Sequence, residues 1–97
     1  MDGNSFEQRY GTWALVAGGT EGLGLAFAEA IARRGVNLLL AGRDAQRLEA
    51  ALDQIRRHHS VKTDGLPCDL SRRDEIDRLV EWIGKRRVGL LVANAAA

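Results

Sequence analysis

Ala14-Leu15-Val16-Ala17-Gly18-Gly19-Thr20-Glu21-Gly22-Leu23-Gly24-Leu25-Ala26-Phe27-Ala28 is the stretch whose reading decides the fold. A short apolar run enters three spaced glycines, Gly18, Gly22 and Gly24, as expected of a buried strand that turns tightly and opens a helix. Glycine lets backbone approach a ligand closely, and the unpaired N–H groups at a helix start, with the helix dipole behind them, attract negative charge. A nucleotide phosphate is the expected ligand. Such a turn also needs glycine for purely structural reasons, so the rest of the chain must decide.

Outward from this stretch, strands and helices alternate. Residues 1–9 are expected to form a flexible lead-in, with one dinucleotide-binding unit from Tyr10 to Ala97. Trp13 to Ala17 reads as a strand covered on both faces. Gly22 to Arg34 reads as a helix with Leu23, Phe27, Ala30 and Ile31 at helical spacing, ended by Gly35 in a left-handed cap. Val36 to Ala41 is a second buried strand. Asp44 is placed to cap a helix whose apolar face is Leu48, Ala51, Leu52 and Ile55, fading at His58-His59-Ser60. A third strand is expected over Lys62 to Pro67. Ser71 is expected to cap a further helix, with Asp74 completing a variant capping box and Ile76, Leu79, Val80 and Ile83 forming its stripe. A basic connector, Gly84 to Gly89, leads to a fourth strand at Leu90 to Ala93.

Strands alternating with helices of this length imply right-handed crossovers and a parallel sheet. The fold class is α/β: the first half of a doubly wound sheet, strand order 3-2-1-4, with three helices. The fourth strand would then be an apolar edge, which natural proteins avoid, so the chain reads as the front part of a larger unit.

Bulk properties narrow the function. A chain of 97 residues makes one small domain, and 45% hydrophobic with 28% charged residues is the composition of a folded globular protein. A net charge of +1 with interspersed signs argues against nucleic acid and membrane surfaces as partners. Cys68 is the single cysteine, which excludes an internal disulfide and leaves a metal site without its usual cluster. No signal-peptide core or membrane span is legible, and a cytoplasmic protein is the expectation.

In a dinucleotide fold the end of the second strand lies beside the adenosine ribose, where an acid holds the 2′-hydroxyl of NAD. Here Gly42 and Arg43 stand instead. Without a carboxylate to repel a 2′-phosphate, and with a guanidinium to hold one, NADP(H) is favoured and NAD(H) remains possible. Arg43 as a solvated loop residue is the plainer alternative, and Glu21 weakens the positive field of the phosphate loop. Asp69, after the third strand, either accepts from the adenine amino group or ends the strand and helps cap the next helix. Asn94 either bridges strands through its amide, lines the nicotinamide side of the cleft, or is an ordinary turn residue. Thr20 offers its hydroxyl to a phosphate or to the helix start. The adjacent His58 and His59 point apart on a helix and suit a fraying end better than a metal. Trp82 reads as packing.

Ala17-Gly18-Gly19-Thr20-Glu21-Gly22-Leu23-Gly24, Gly42-Arg43, Cys68-Asp69-Leu70 and Leu91-Val92-Ala93-Asn94-Ala95-Ala96 resemble, in order and spacing, the cofactor half of the short-chain dehydrogenase/reductases, a Rossmann-type family. The first motif is similar to Thr-Gly-x-x-x-Gly-x-Gly with Ala17 for threonine. The last is similar to Asn-Asn-Ala-Gly with Ala93 for the first asparagine and Ala96 for the glycine. The resemblance implies a pyrophosphate turn at Gly18, Gly22 and Gly24 with Thr20, Glu21 and Leu23, a 2′-phosphate at Arg43, adenine at Asp69 and Leu70, and a mainly structural Asn94 that lies, with Ala95, near the cofactor. It implies hydride transfer between NADP(H) and an alcohol/carbonyl substrate, and a homo-oligomer. Tyr10 to Val16, with an acid before the second loop glycine, is also similar to reductases of 3-oxoacyl-CoA and hydroxysteroid substrates. The family's catalytic serine and Tyr-x-x-x-Lys pair have no counterpart: Tyr10 is the only tyrosine, and Ala14 stands four places on. The alternative is a non-catalytic nucleotide-binding or interaction module ending at Ala97.

Overall fold

A computed structural model describes residues 13–18 and 22–93. Four strands, β1 (Trp13–Ala17), β2 (Asn37–Gly42), β3 (Thr63–Pro67) and β4 (Val88–Ala93), alternate with three helices, α1 (Gly22–Arg33), α2 (Ala45–His58) and α3 (Arg73–Ile83). All pairings are parallel and the order is β3-β2-β1-β4, as the alternation required. The connections run outward from β1 to β3 and then return to its other side, so the direction reverses beside β1. Strand ends are aligned there, Ala17 pairing with both Ala41 and Ala93 and Gly42 with Pro67.

Strand alternation divides the core between the two faces. Ala14, Val16, Leu38 and Leu40 point to α1 and α2, joining Ala28, Ile31, Leu48, Leu52 and Ile55. Leu15, Leu39 and Ala41 point to the α3 side, with Cys68 and Leu79. Leu38, Leu39 and Leu40 are fully buried. Each contributes about 1.5–3 kcal/mol by leaving water, which is why a short apolar run becomes the sheet's central strand. β3 is the opposite case. Asp64 and Gly65 interrupt its apolar pattern, and it forms an edge, where Pro67 at its last position costs no interior ladder bond.

Several boundaries and roles differ from expectation. α1 ends at Arg33, one residue early, because Gly35 at φ 81° closes a Schellman turn: Gly35 N–H donates to Ala32 O (2.9 Å) and Val36 N–H to Ile31 O (3.5 Å). The buried face of α1 is Gly24, Ala28, Ile31 and Ala32, whereas Leu23 and Phe27 are 62% and 43% exposed. Small residues set this contact because they bring the helix close to the sheet. β2 runs one residue later than expected and β3 starts one later; β4 begins two residues earlier, at Val88, with a bulge between the Trp13 and Ala14 pairings. On α3 only Leu79 of the expected stripe is buried; Ile76 and Val80 are exposed.

The N-terminal rim is held by a stack. The Arg86 guanidinium lies 4.9 Å from the Trp82 ring centre and 5.3 Å from that of Trp13, and its Nη2 donates to Asp64 Oδ2 at 2.8 Å. Trp82 is therefore packing, as read, and also a cation platform. His58 and His59 do more than fray: His59 caps α2 and its Nε2 sits 2.9 Å from Glu29 Oε1 on α1, while Gln54 Nε2 donates to Glu29 Oε2 at 2.9 Å.

Candidate functional site

The carboxyl ends of β1, β2 and β3 lead to Gly18, Arg43 and Asp69 at one rim, with Gly22 and Gly24 at the start of α1. β1 leaves through Gly18, whose φ of 79° is the left-handed region that a side chain rarely adopts. Gly18 N–H donates to Ala41 O at 2.7 Å, fastening this exit to the end of β2. Gly22 has φ 60° and is the first residue of α1, and Gly24 is buried in that helix's first turn. The strand before the loop and the helix after it are thus the ones expected. Leu23 stands exposed at the helix start. Thr20, Glu21, Asn94 and Ala95, together with residues 1–12, lie outside the described residues.

Arg43 follows the last residue of β2 and is exposed. Asp44 fixes the turn behind it, its Oδ1 accepting from Gln46 N–H (2.9 Å) and Arg47 N–H (3.1 Å), the N-cap expected of that residue. β3 exits next to it, Cys68 N–H donating to Gly42 O at 2.8 Å. Asp69 therefore lies close enough to Arg43 for their charges to interact.

The surroundings of Asp69 correct one expectation. Ser71 does not cap α3: Arg72 holds the N-cap position with no side-chain hydrogen bond, and the helix starts at Arg73. Ser71 instead donates to Asp69 Oδ1 from both its hydroxyl (2.7 Å) and its N–H (3.0 Å). Asp74 likewise forms no capping box but pairs with the Arg72 guanidinium at 3.3 Å. The acid that reaches back is Glu75, whose Oε1 accepts from Asp69 N–H at 3.1 Å. An aspartate two residues before a serine is itself a turn signature, and that competing local bond was the available signal. The Ser71 bonds, with the nearby Arg43 and Arg72 charges adding to them, hold the Asp69 carboxyl below its ordinary pKa, so it is an anionic acceptor. Leu70 turns its side chain inward onto the α3-side core.

Cys68 is buried beside Asp69, and burial together with the Glu75 charge pushes its thiol pKa up, which makes it an inert packing group. Among the described residues no group of three or more His, Cys, Asp or Glu is arranged for a metal ion, and no helix is long and apolar enough to cross a membrane. The rim offers positive-φ glycines at a helix N-terminus, a guanidinium and an anionic acceptor. Those are the donors and acceptors that a dinucleotide's phosphates and base require.

Comparison with known proteins agrees with this architecture. The family model for short chain dehydrogenase matches residues 12–97. The chain is 41% identical over 88 residues to hydroxysteroid dehydrogenase-like protein 1 of Gallus gallus, covering 90% of this chain and 27% of that protein. It is 35% identical over 86 residues to very-long-chain 3-oxoacyl-CoA reductase of Mus musculus (89% and 28% covered). It is 38% identical over 88 residues to inactive hydroxysteroid dehydrogenase-like protein 1 of Homo sapiens (90% and 27%). Hydroxysteroid and 3-oxoacyl-CoA, the two substrate kinds of the reductases that the Tyr10 to Val16 segment resembled, both stand in these names. The chain spans little more than a quarter of the length of these relatives. Among solved structures it is similar to a 7β-hydroxysteroid dehydrogenase, with TM-score 0.88 at 30% identity, covering 94% of this chain and 35% of that one. It is also similar to L-sorbose reductase from Gluconobacter frateurii complexed with NADPH and L-sorbose, with TM-score 0.83 at 27% identity (89% and 34% covered). Sheet order, glycine turn and the match along nearly its whole length lead to one conclusion: the chain belongs to the short-chain dehydrogenase family, whose N-terminal, cofactor-binding part it represents.

Proposed function

We propose that this chain seats NADP(H) for a reductase that moves a hydride between the nicotinamide and an alcohol/carbonyl pair. The observation that carries the reading is the shared rim: Gly18 ends β1 and Gly22 opens α1, both at positive φ, beside the reversal of sheet direction, and Arg43 and Asp69 follow the neighbouring strands at the same edge. Gly18, Gly22 and Gly24, with Thr20, Glu21 and Leu23 in the same loop, would take the pyrophosphate, where backbone N–H groups and the helix dipole favour negative charge. Arg43 would hold the 2′-phosphate, and Asp69 with Leu70 the adenine. Asn94 and Ala95 follow β4 in sequence and would border the nicotinamide side. The cofactor, when bound, supplies the hydride. These residues hold and orient it; none of them carries the family's proton-transfer role, for which the Ser and Tyr-x-x-x-Lys residues are required.

NADP(H) over NAD(H) rests on Arg43 and on the absence of an acid at the end of β2. The NADPH bound to L-sorbose reductase supports it. Titration of the full chain with NADPH and NADH tests it: NADPH should bind at least about tenfold more tightly, as expected for a charge-assisted guanidinium–phosphate contact, and Arg43→Glu should reverse the order. Equal binding of both by the wild-type chain, unaltered in Arg43→Glu, would overturn the assignment.

A second reading, nucleotide binding without turnover, is favoured by the human relative that bears the word inactive in its name. NADPH binding by the full chain without oxidation against ketone substrates would support it over the first. A homo-oligomer and a carbonyl or alcohol substrate are part of the first reading.

A further inference from the structure

The acid that would read the base is itself held by the segment that follows it. Both Ser71 bonds fall on Asp69 Oδ1 (2.7 and 3.0 Å), whereas Oδ2 accepts no hydrogen bond from a described residue. The Asp69 N–H is engaged by Glu75 Oε1 at 3.1 Å. The same Glu75 oxygen accepts from Arg78 Nη2 at 3.1 Å, and that nitrogen also donates to Pro67 O at 2.6 Å. The end of β3, the connector and the first turns of α3 are thereby joined in one circuit, running from Pro67 through Arg78 and Glu75 to Asp69 and Ser71.

A carboxylate with one oxygen held by two donors cannot rotate freely about its own axis, and its second oxygen points in a fixed direction as a pure acceptor. An acceptor of that kind distinguishes purines by the group at C6: adenine presents an amino donor, and hypoxanthine presents a carbonyl oxygen that meets the carboxylate acceptor to acceptor. A site that leaves a polar group unpaired rejects the wrong partner far more strongly than one that only loses a contact.

We infer that Ser71 and Glu75 are positioning residues that make the base pocket selective for 6-aminopurine nucleotides, Ser71 by presenting Asp69 Oδ2 and Glu75, braced by Arg78, by holding the Asp69 backbone at the rim. The inference rests on the reading of Asp69 as the adenine contact. Neither residue touches the nucleotide; each acts through Asp69. Ser71 is exposed and its hydroxyl bonds to Asp69 in an exposed pair, so its removal is expected to leave the fold intact.

The test compares dissociation constants of the full chain for NADPH, its hypoxanthine analogue (nicotinamide hypoxanthine dinucleotide phosphate) and NADH. The wild-type chain should prefer NADPH over the hypoxanthine analogue by about tenfold or more. Ser71→Ala should reduce that preference to about threefold or less and leave the NADPH/NADH ratio unchanged, because the 2′-phosphate is held elsewhere. Ser71→Thr, which keeps the hydroxyl, should restore it. Glu75→Gln, which keeps an acceptor for the Asp69 N–H, should retain the preference that Glu75→Ala loses. A Ser71→Ala chain with the full adenine preference, or one in which both ratios fall together, would overturn the inference. So would a wild-type chain that binds NADPH and its hypoxanthine analogue equally, though the dinucleotide reading would then stand. Failure of the wild-type chain to bind NADPH would instead overturn the functional reading, and the inference with it.

Discussion

Gly65 is the position where the packing of β3 on α2 can be tested most sharply. A Cβ added there would lie 2.7 Å from Leu52 Cδ1 and 3.2 Å from Leu48 Cδ2 and Cγ. Carbon pairs rest at about 3.5–4.0 Å, so the closest contact is short by roughly 0.8–1.3 Å on that scale. Leu48 and Leu52 are each only 1% exposed and are packed within the α1/α2-side core, so neither has open space to rotate into. Overpacking of this kind costs about 1–3 kcal/mol, and reduced freedom of the unfolded chain returns about 0.4–1 kcal/mol, since Gly65 does not have positive φ. Gly65→Ala is therefore expected to destabilise by about 1–2 kcal/mol. Urea unfolding followed by circular dichroism, run as a double-mutant cycle with Leu52→Ala, reads the cause. In the Leu52→Ala background, itself about 2–5 kcal/mol less stable, the 2.7 Å clash is gone and only the 3.2 Å approaches to Leu48 remain, so the cost of Gly65→Ala should fall below about 1 kcal/mol. Gly35→Ala is the control: nothing lies within 4 Å of the new Cβ, but φ is +81°, so it should cost about 1–2 kcal/mol whether or not Leu52 is present. An unchanged Gly65→Ala cost in the two backgrounds would refute the packing argument.

Two further outcomes follow from contacts away from the rim. Arg86→Met keeps the aliphatic stem but removes the cation from between Trp13 and Trp82, and should lower stability by about 1–2 kcal/mol; most of this comes from the rings, since the Asp64 partner is 45% exposed and screened. Those are the only two tryptophans in the chain, so their emission should change at the same time; an unaltered spectrum and midpoint would refute the stack. Glu29 has its carboxyl pKa lowered, first by the Gln54 hydrogen bond and then by His59, against the opposing effect of burial. A depressed carboxylate stabilises above its unfolded pKa and loses that contribution as pH falls through the folded one, so the α1–α2 tie should weaken below about pH 4.3. Gln54→Ala should raise the Glu29 pKa toward its ordinary value in an NMR titration, and no movement would contradict the cause assigned.

How far the sequence revealed the fold depended on what each residue had to bury. Leu38 to Leu40 and Ala14 to Ala17 were legible because a strand covered on both faces must be continuously apolar. The phase of α1 was misread because its close approach to the sheet uses Gly24, Ala28 and Ala32, while Leu23 and Phe27, which dominate any reading of apolar spacing, face outward. β3 was faint because an edge strand whose central Gly65 must admit Leu48 and Leu52 has little apolar content of its own. At the rim, the placement of Gly18, Gly22, Arg43 and Asp69 was legible from their distances along the chain, since each follows or opens a named element. The circuit of Ser71, Glu75 and Arg78 was not. Ser71 carries the chemistry of a cap, and only the three-dimensional path shows that the carboxylate two residues earlier captures it.

The most direct measurement is to map NADPH onto the backbone amides of the full chain by NMR. The account predicts saturable shifts at Gly18, Gly22, Gly24, Arg43 and Asp69, at the carboxyl ends of β1 to β3. It predicts none at Gly35, Lys62 or Arg87, which precede β2, β3 and β4 at the opposite rim. Shifts confined to that opposite rim, or none that saturate, would contradict it.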